Sequence, residues 1–172
     1  MAPDLVSLAE DRINRTLRVR QMETALAETI IGASNEIAVP EGTVGVKTLW
    51  VPNYESTPLS AQPYERVVQL GIEGVPTSWA WQGDNFYFDG VGSVRGVLYQ
   101  RVPALSDTAT SNWLLTTYPS AYLFGALCEG WLYVGNEAEA KLWQDRQLAV
   151  LSEIQGNAMR DTLSGPLQVR AR

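Results

Sequence analysis

The chain contains no histidine and a single cysteine, Cys128, in 172 residues. Without histidine, Ser-His and Cys-His nucleophile pairs cannot be built, and the commonest side-chain metal ligand is missing. Any chemistry would fall to carboxylates, a lysine or a bound cofactor. A lone cysteine closes no disulfide within the chain, which fits folding in a reducing compartment such as a bacterial cytosol. No apolar run reaches the length needed to span a bilayer. The opening MAPDLVSLAEDRINR lacks a basic cap followed by a long apolar stretch, so it does not read as a secretory signal. Basic residues are the minority: 13 Lys and Arg against 19 Asp and Glu give a net charge of −6. That argues against broad nonspecific nucleic-acid binding, which needs a basic surface to displace counterions. It leaves room for DNA to pass nearby without sticking.

Hydrophobic residues make up 45% of the chain, enough for a core in one domain of ordinary size. The pattern predicts an α+β arrangement: an N-terminal helix and a C-terminal helical hairpin around a β-rich middle, closed by an extended tail. In a single-domain reading, residues 1–20 and 112–163 form the helical part, 21–111 the β-rich part and 164–172 the arm. Asp4 is the candidate N-cap of the first helix, with Leu5, Leu8, Ala9, Ile13 and Leu17 on one stripe and Arg12, Arg15 and Arg18 off it.

Met22 to Ile31 fits either a continuation of the helix or a strand; Thr24, Leu26 and the Thr29-Ile30-Ile31 run favour the strand, and Gly32 then supplies a turn. Ile37 and Val39 read as a return strand, and Val44 to Val51 as another. Residues 52–63 read as loop, and Tyr64 to Leu70 as a short helix. Trp79 and Trp81, the turn Gly83-Asp84-Asn85, then Phe86 and Phe88 signal a hairpin with aromatic cross-strand pairs. Val97, Tyr99 and Arg101 continue as a third strand. A polar connector over 103–111 follows.

Asn112 is placed to cap a short helix through Tyr118, and Pro119 to open the next one. Tyr122, Leu123, Ala126, Leu127 and Leu132 then recur at helical spacing. Gly135-Asn136 breaks that pattern, and Asn136 with Glu139 has the spacing of a capping box. Ala140, Trp143, Gln147, Leu151 and Ile154 form the stripe of a long final helix, which Gly165-Pro166 would stop.

Few of these features suggest chemistry. Asp84, Asp89, Glu129 and Glu137 are the acids an acid/base pair would need, but no spacing brings two of them together. Glu129 sits among apolar residues, where pairing with an arginine is expected. The Gly-rich stretch 90–96 lacks the lysine of a phosphate loop, so no nucleotide site or other cofactor is called for. Cys128 lies in an apolar helix pattern and reads as a small core residue. Trp79 and Trp81 share a strand face, as aromatic platforms for sugars do. This keeps open a carbohydrate- or surface-binding module, although tryptophans equally fill sheet faces and subunit contacts. In the tail, Leu167 and Val169 alternate with Gln168 and Arg170, the pattern of a strand added to a neighbour's edge or of a frayed terminus.

The last third resembles a family of tailed-bacteriophage head–tail adaptor proteins. The resemblance rests on Leu114-Leu115, Tyr118-Pro119, Tyr122-Leu123 and Gly125-Ala126-Leu127-Cys128-Glu129. The closing Ser164-Gly165-Pro166-Leu167-Gln168-Val169-Arg170-Ala171-Arg172 carries it as well. Leu17 to Thr24 and VGVKTLWV resemble the family's earlier segments. Many members have Asp where this chain has Ser120, and the Trp79–Phe88 hairpin matches no family motif. The resemblance implies a structural virion protein without enzymatic activity, made in the host cytoplasm and placed at the head–tail junction. It implies a homo-dodecameric ring beneath the portal protein. The helical parts would pack side by side, the tail would reach up onto the portal, and the β-rich middle would face a tail nozzle or tail tube protein. DNA would transit the channel without specific binding, and no membrane would be involved.

Overall fold

The computed structural model describes residues 2–32, 34–70 and 74–163. Helix and sheet are both present and are segregated along the chain, the mixed composition that the patterning predicts. The chain divides into two compact units: Met22–Gln100 is one, and Met1–Gln21 with Arg101–Arg172 is the other.

The second of these is helical. Its elements are α1 (Ala2–Thr16), α3 (Trp113–Thr117), α4 (Pro119–Val134) and α5 (Glu137–Leu163); α2 belongs to the other unit. Local chemistry sets most of their ends. The Asn112 side chain accepts the Leu115 N–H at 2.8 Å and caps α3. Pro119 occupies the first turn of α4, where a missing N–H costs nothing. Gly135, at φ 81, ends α4 in the left-handed region that suits a residue without Cβ. Asn136 then accepts the Glu139 N–H at 3.2 Å and starts α5. At the N-terminus α1 begins at Ala2, so Asp4 lies inside the first turn rather than capping it.

α4 packs against both α1 and α5. The α5 stripe is as the periodicity predicts: Ala140, Gln147, Leu151 and Ile154 are buried and Trp143 is half-buried. Two other stripes need correction. Leu8 of α1 is 49% exposed while Ala9, Ile13 and Leu17 are buried. In α4 the buried residues are Ala121, Tyr122, Gly125 and Cys128, whereas Leu123 and Leu132 are exposed. α4 is apolar nearly all round, so spacing alone cannot select its inner face. Close approach selects it, and the inner face carries the small residues.

The β unit contains two sheets. The first has the order β1-β7-β3, with β1 (Glu23–Ile30), β7 (Ser93–Gln100) and β3 (Thr43–Trp50) all antiparallel. The second has the order β2-β6-β5-β4, from β2 (Glu36–Ala38), β6 (Asn85–Phe88), β5 (Ser78–Gln82) and β4 (Ser60–Ala61). α2 (Tyr64–Leu70) packs on this sheet through β5 and β6. Ile37, Phe86 and Phe88 from the second sheet meet Leu49, Val94 and Leu98 from the first, and this cluster is the core of the unit.

The hairpin is as expected, with Trp79 opposite Phe88 and Trp81 opposite Phe86. Its neighbours are not. The strand around Ile37 does not return along β1: it pairs with β6, and Val39 lies just past its end. Asn35, held at φ 57, turns the chain into the second sheet. Nor do Val97 and Tyr99 add a third strand to the hairpin. β7 crosses to the first sheet and becomes its centre, and Arg101 lies outside it. Gly96 makes the central position possible, because a Cβ there would meet Leu49 Cδ2 at 2.5 Å. The 52–63 loop contains the short strand β4, paired in parallel with β5.

Candidate functional site

Several of the residues singled out in the last third, among them Leu114, Tyr122, Gly125 and Glu129, form one structural hub inside the helical unit. Leu114 is fully buried, and its carbonyl accepts the Tyr118 N–H at 2.7 Å. Asn112 joins three segments. Besides capping α3, it donates to Pro103 O at 2.6 Å and to the Tyr122 hydroxyl at 2.7 Å. Tyr122 in turn donates to Glu10 of α1 at 3.3 Å, and Glu10 also accepts the Leu105 N–H at 2.8 Å. Asn14, one turn further along α1, accepts the Val102 N–H at 2.8 Å. Buried polar groups are tolerable only when paired, and this network pairs them while tying the 101–105 segment to α1 and α4. Burial of the Tyr122 phenol, with the Glu10 carboxylate beside it, pushes its pKa up to about 12 despite the Asn112 hydrogen bond.

One turn on, Gly125 stands at the closest approach of α4 to its neighbours. A Cβ there would lie 2.8 Å from Ala9 Cβ and closer still to the Gln147 amide. Gln147 is fully buried and donates to Ala121 O at 3.2 Å. Cys128 is buried, with the Arg12 guanidinium 2.9 Å from its sulfur, and the same guanidinium is ion-paired to Glu129. The expected arginine partner of Glu129 is thus Arg12. Phe124 meets Trp143 at 5.6 Å, and Arg146 lies over the Trp143 ring at 4.6 Å. Leu115, Tyr118, Ala126 and Leu127 are half-buried, while Pro119 and Leu123 are exposed. The tail, Ser164 to Arg172, lies outside the described residues.

The remaining candidates do not gather. Asp84 lies in the β5–β6 turn and Asp89 just past the other end of β6. Burial raises the Asp89 pKa, but hydrogen bonds from the Thr77 and Ser78 hydroxyls and backbone N–H groups, at 2.6–2.9 Å, outweigh it and hold the carboxyl below its ordinary value. Asp89 is therefore a staple between loop and strand. Glu129 faces α1, and Glu137 is exposed at the start of α5. Among the described residues, no three His, Cys, Asp or Glu side chains come together as a metal site requires. Trp79 and Trp81 each make a T-shaped contact with Phe86, at 5.7 and 5.4 Å; Trp79 is half-buried and Trp81 is 41% exposed. Gly90, in the Gly-rich stretch, packs tightly against the Pro76 backbone, and Gly96 sits beneath β3.

Sequence reading missed Glu10 and Asn14. Each acts across more than 80 residues of chain, and within α1 nothing distinguishes them from polar residues on a solvated face.

The family model described as SU10 adaptor protein matches residues 1–170. No characterised protein matches the chain at a significant level.

Proposed function

Since the chain belongs to the SU10 adaptor protein family, a family of structural phage head–tail adaptors, we propose that it assembles as a ring between portal and tail and continues the DNA channel. The observation that carries this is the match over nearly the whole chain, 1–170, which takes in residues 164–170 of the tail read as an arm. The hub supports it. Several residues shared with the adaptor pattern fix helix packing, with Gly125 and Tyr122 seating α4 on its neighbours and Glu129 holding α1. In this reading they serve a scaffold, and the reading assigns the chain no catalytic step and no cofactor.

In this reading the partners are the portal protein, a tail nozzle or tail tube protein, and eleven further copies of the chain. The arm at 164–172 grips the portal. Each arm binds weakly, and twelve acting together give strong attachment through effective concentration. The net charge of −6 keeps phosphate from sticking in transit.

The test is deletion of residues 164–172. The melting temperature should stay within about 2 °C, because the segment lies beyond α5, whereas capture of the purified portal protein should fall at least about tenfold. Equal capture by the truncated chain removes the arm. Absence of capture by the intact chain removes the adaptor reading itself.

A further inference from the structure

We infer that α5 is built in two parts joined at Gly156, and that residues 156–163 open as a unit to lengthen the arm that begins at Ser164. The break at Gly156 follows from α5 and its packing alone. Its use by the arm rests on the adaptor reading above.

The first observation is where the packing of α5 thins. Its inward stripe runs through Ala140, Gln147, Leu151 and Ile154, all buried. Gln155 follows and donates from Nε2 to Thr16 O at 2.9 Å. Thr16 is the last residue of α1, so this bond fills one of the carbonyls that a helix leaves unpaired at its C-terminal end. It pins α5 to α1 one residue before Gly156. Residues 155–158 are half-buried at most, and Met159 is 68% exposed. Tertiary packing supplies most of the stability of a protein helix, and past Gln155 that support falls away.

The second observation is the sequence at that point. Gly156 is the one glycine in α5. A Cβ added to it would meet nothing within 4 Å, so no close approach requires a glycine there, the opposite of Gly125 in α4. Inside a helix, glycine lowers the helical equilibrium about fivefold relative to alanine, because it gives up more backbone freedom on folding. The composition changes at the same place. Residues 137–155 are mostly Ala, Leu, Glu, Gln, Lys and Arg, the strong helix formers. The next eight, GNAMRDTL, include Gly156, Asn157, Asp161 and Thr162 from the weak end of the scale. Asp161 also puts a negative charge at the negative end of the helix dipole, which Arg160 partly offsets. The weakest stretch of α5 thus begins where its tertiary support falls away, and these eight residues form a low-stability unit. As helix they span about 12 Å, and extended about 26 Å. Opening moves the start of the arm from Ser164 back to Gly156 and adds about 14 Å of reach, while the Gln155 bond holds the rest of α5 in place.

Amide hydrogen exchange of the full chain, followed residue by residue by NMR, tests the break. The amides of 160–163 bond to carbonyls inside the unit and should exchange at least about a hundredfold faster than those of 147–154. Gly156→Ala should slow them about fivefold, and adding Asp161→Lys should slow them further. If the arm needs the open form, Gly156→Ala should also weaken capture of the purified portal protein about fivefold, because the competent state becomes that much rarer. Amides 160–163 as slow as the rest of α5, or indifferent to Gly156→Ala, overturn the break at Gly156. Slower exchange with undiminished capture overturns the lengthening of the arm. Absence of capture by the intact chain removes the adaptor reading and the use of the opening with it, whereas the exchange rates still decide the break.

Discussion

Gly125 and Tyr122, one turn apart on α4, are two residues whose replacement the packing of the helical unit constrains. Gly125→Ala would put a methyl group 2.8 Å from Ala9 Cβ and nearer still to the buried Gln147 amide. Neither neighbour can swing into solvent, so the helices must part. The expected cost is about 1–3 kcal/mol, read as a lower urea midpoint with little change in slope. Alanine is the better helix former, so a gain in stability would show that the hub is loosely packed. Tyr122 makes a pH prediction. Its phenol is held neutral by burial up to about 12, above the ordinary value near 10. A pKa raised on folding contributes stability that is fully present below pH 10 and is lost as pH rises toward 12. Tyr122→Phe should remove that alkaline loss. In a spectrophotometric titration of the folded protein, the variant should lack a phenol that ionises near pH 12. An unchanged titration curve would place the ionisation elsewhere.

At the scale of elements, the break between the 101–111 segment and α3 depends on Asn112. It caps α3 and also holds Pro103 O and the Tyr122 hydroxyl. Asn112→Ala should cost about 2–3 kcal/mol, more than a cap alone, because the Tyr122–Glu10 pair loses its third member. Asn112→Asp keeps the acceptor for the Leu115 N–H, loses both donated bonds and sets a second carboxylate near Glu10. It should be no better than alanine. Thermal melts of the two variants settle the point: a stable aspartate variant would mean that the cap alone matters. The same logic explains the strand pairings. Glu23 opposite Tyr99 brings the two ends of the β unit together on neighbouring strands. The chain therefore enters and leaves the unit at one place, although 79 residues lie between.

At the scale of the whole molecule, paired ends and a separate core mark residues 22–100 as an insertion between α1 and the rest of the helical unit. Expressed alone, this segment should fold cooperatively, with dispersed amide resonances and a sigmoidal urea transition. A molten fragment would show that the β unit needs the helices to hold its shape. The division also partitions the charge: the inserted unit has nine acidic and three basic residues, whereas the helical unit has ten of each.

Much of this was legible in the residues. The caps at Asn112, Pro119, Gly135 and Asn136, the α5 stripe and the aromatic hairpin follow from side-chain chemistry acting over one to four positions, which a linear reading captures. The absence of histidine and the position of the net charge are likewise facts of sequence. Tertiary structure alone decided three things. It chose which side of the uniformly apolar α4 turns inward, because small residues permit close approach only there. It sent β2 and β7 to sheets that neighbouring sequence does not suggest, because strand partners are fixed by the turn at Asn35 and the close contact at Gly96. It joined Glu10, Asn14 and Tyr122 to segments about 90 to 110 residues away, because a hydrogen bond depends on distance in space and leaves no periodic trace along the chain.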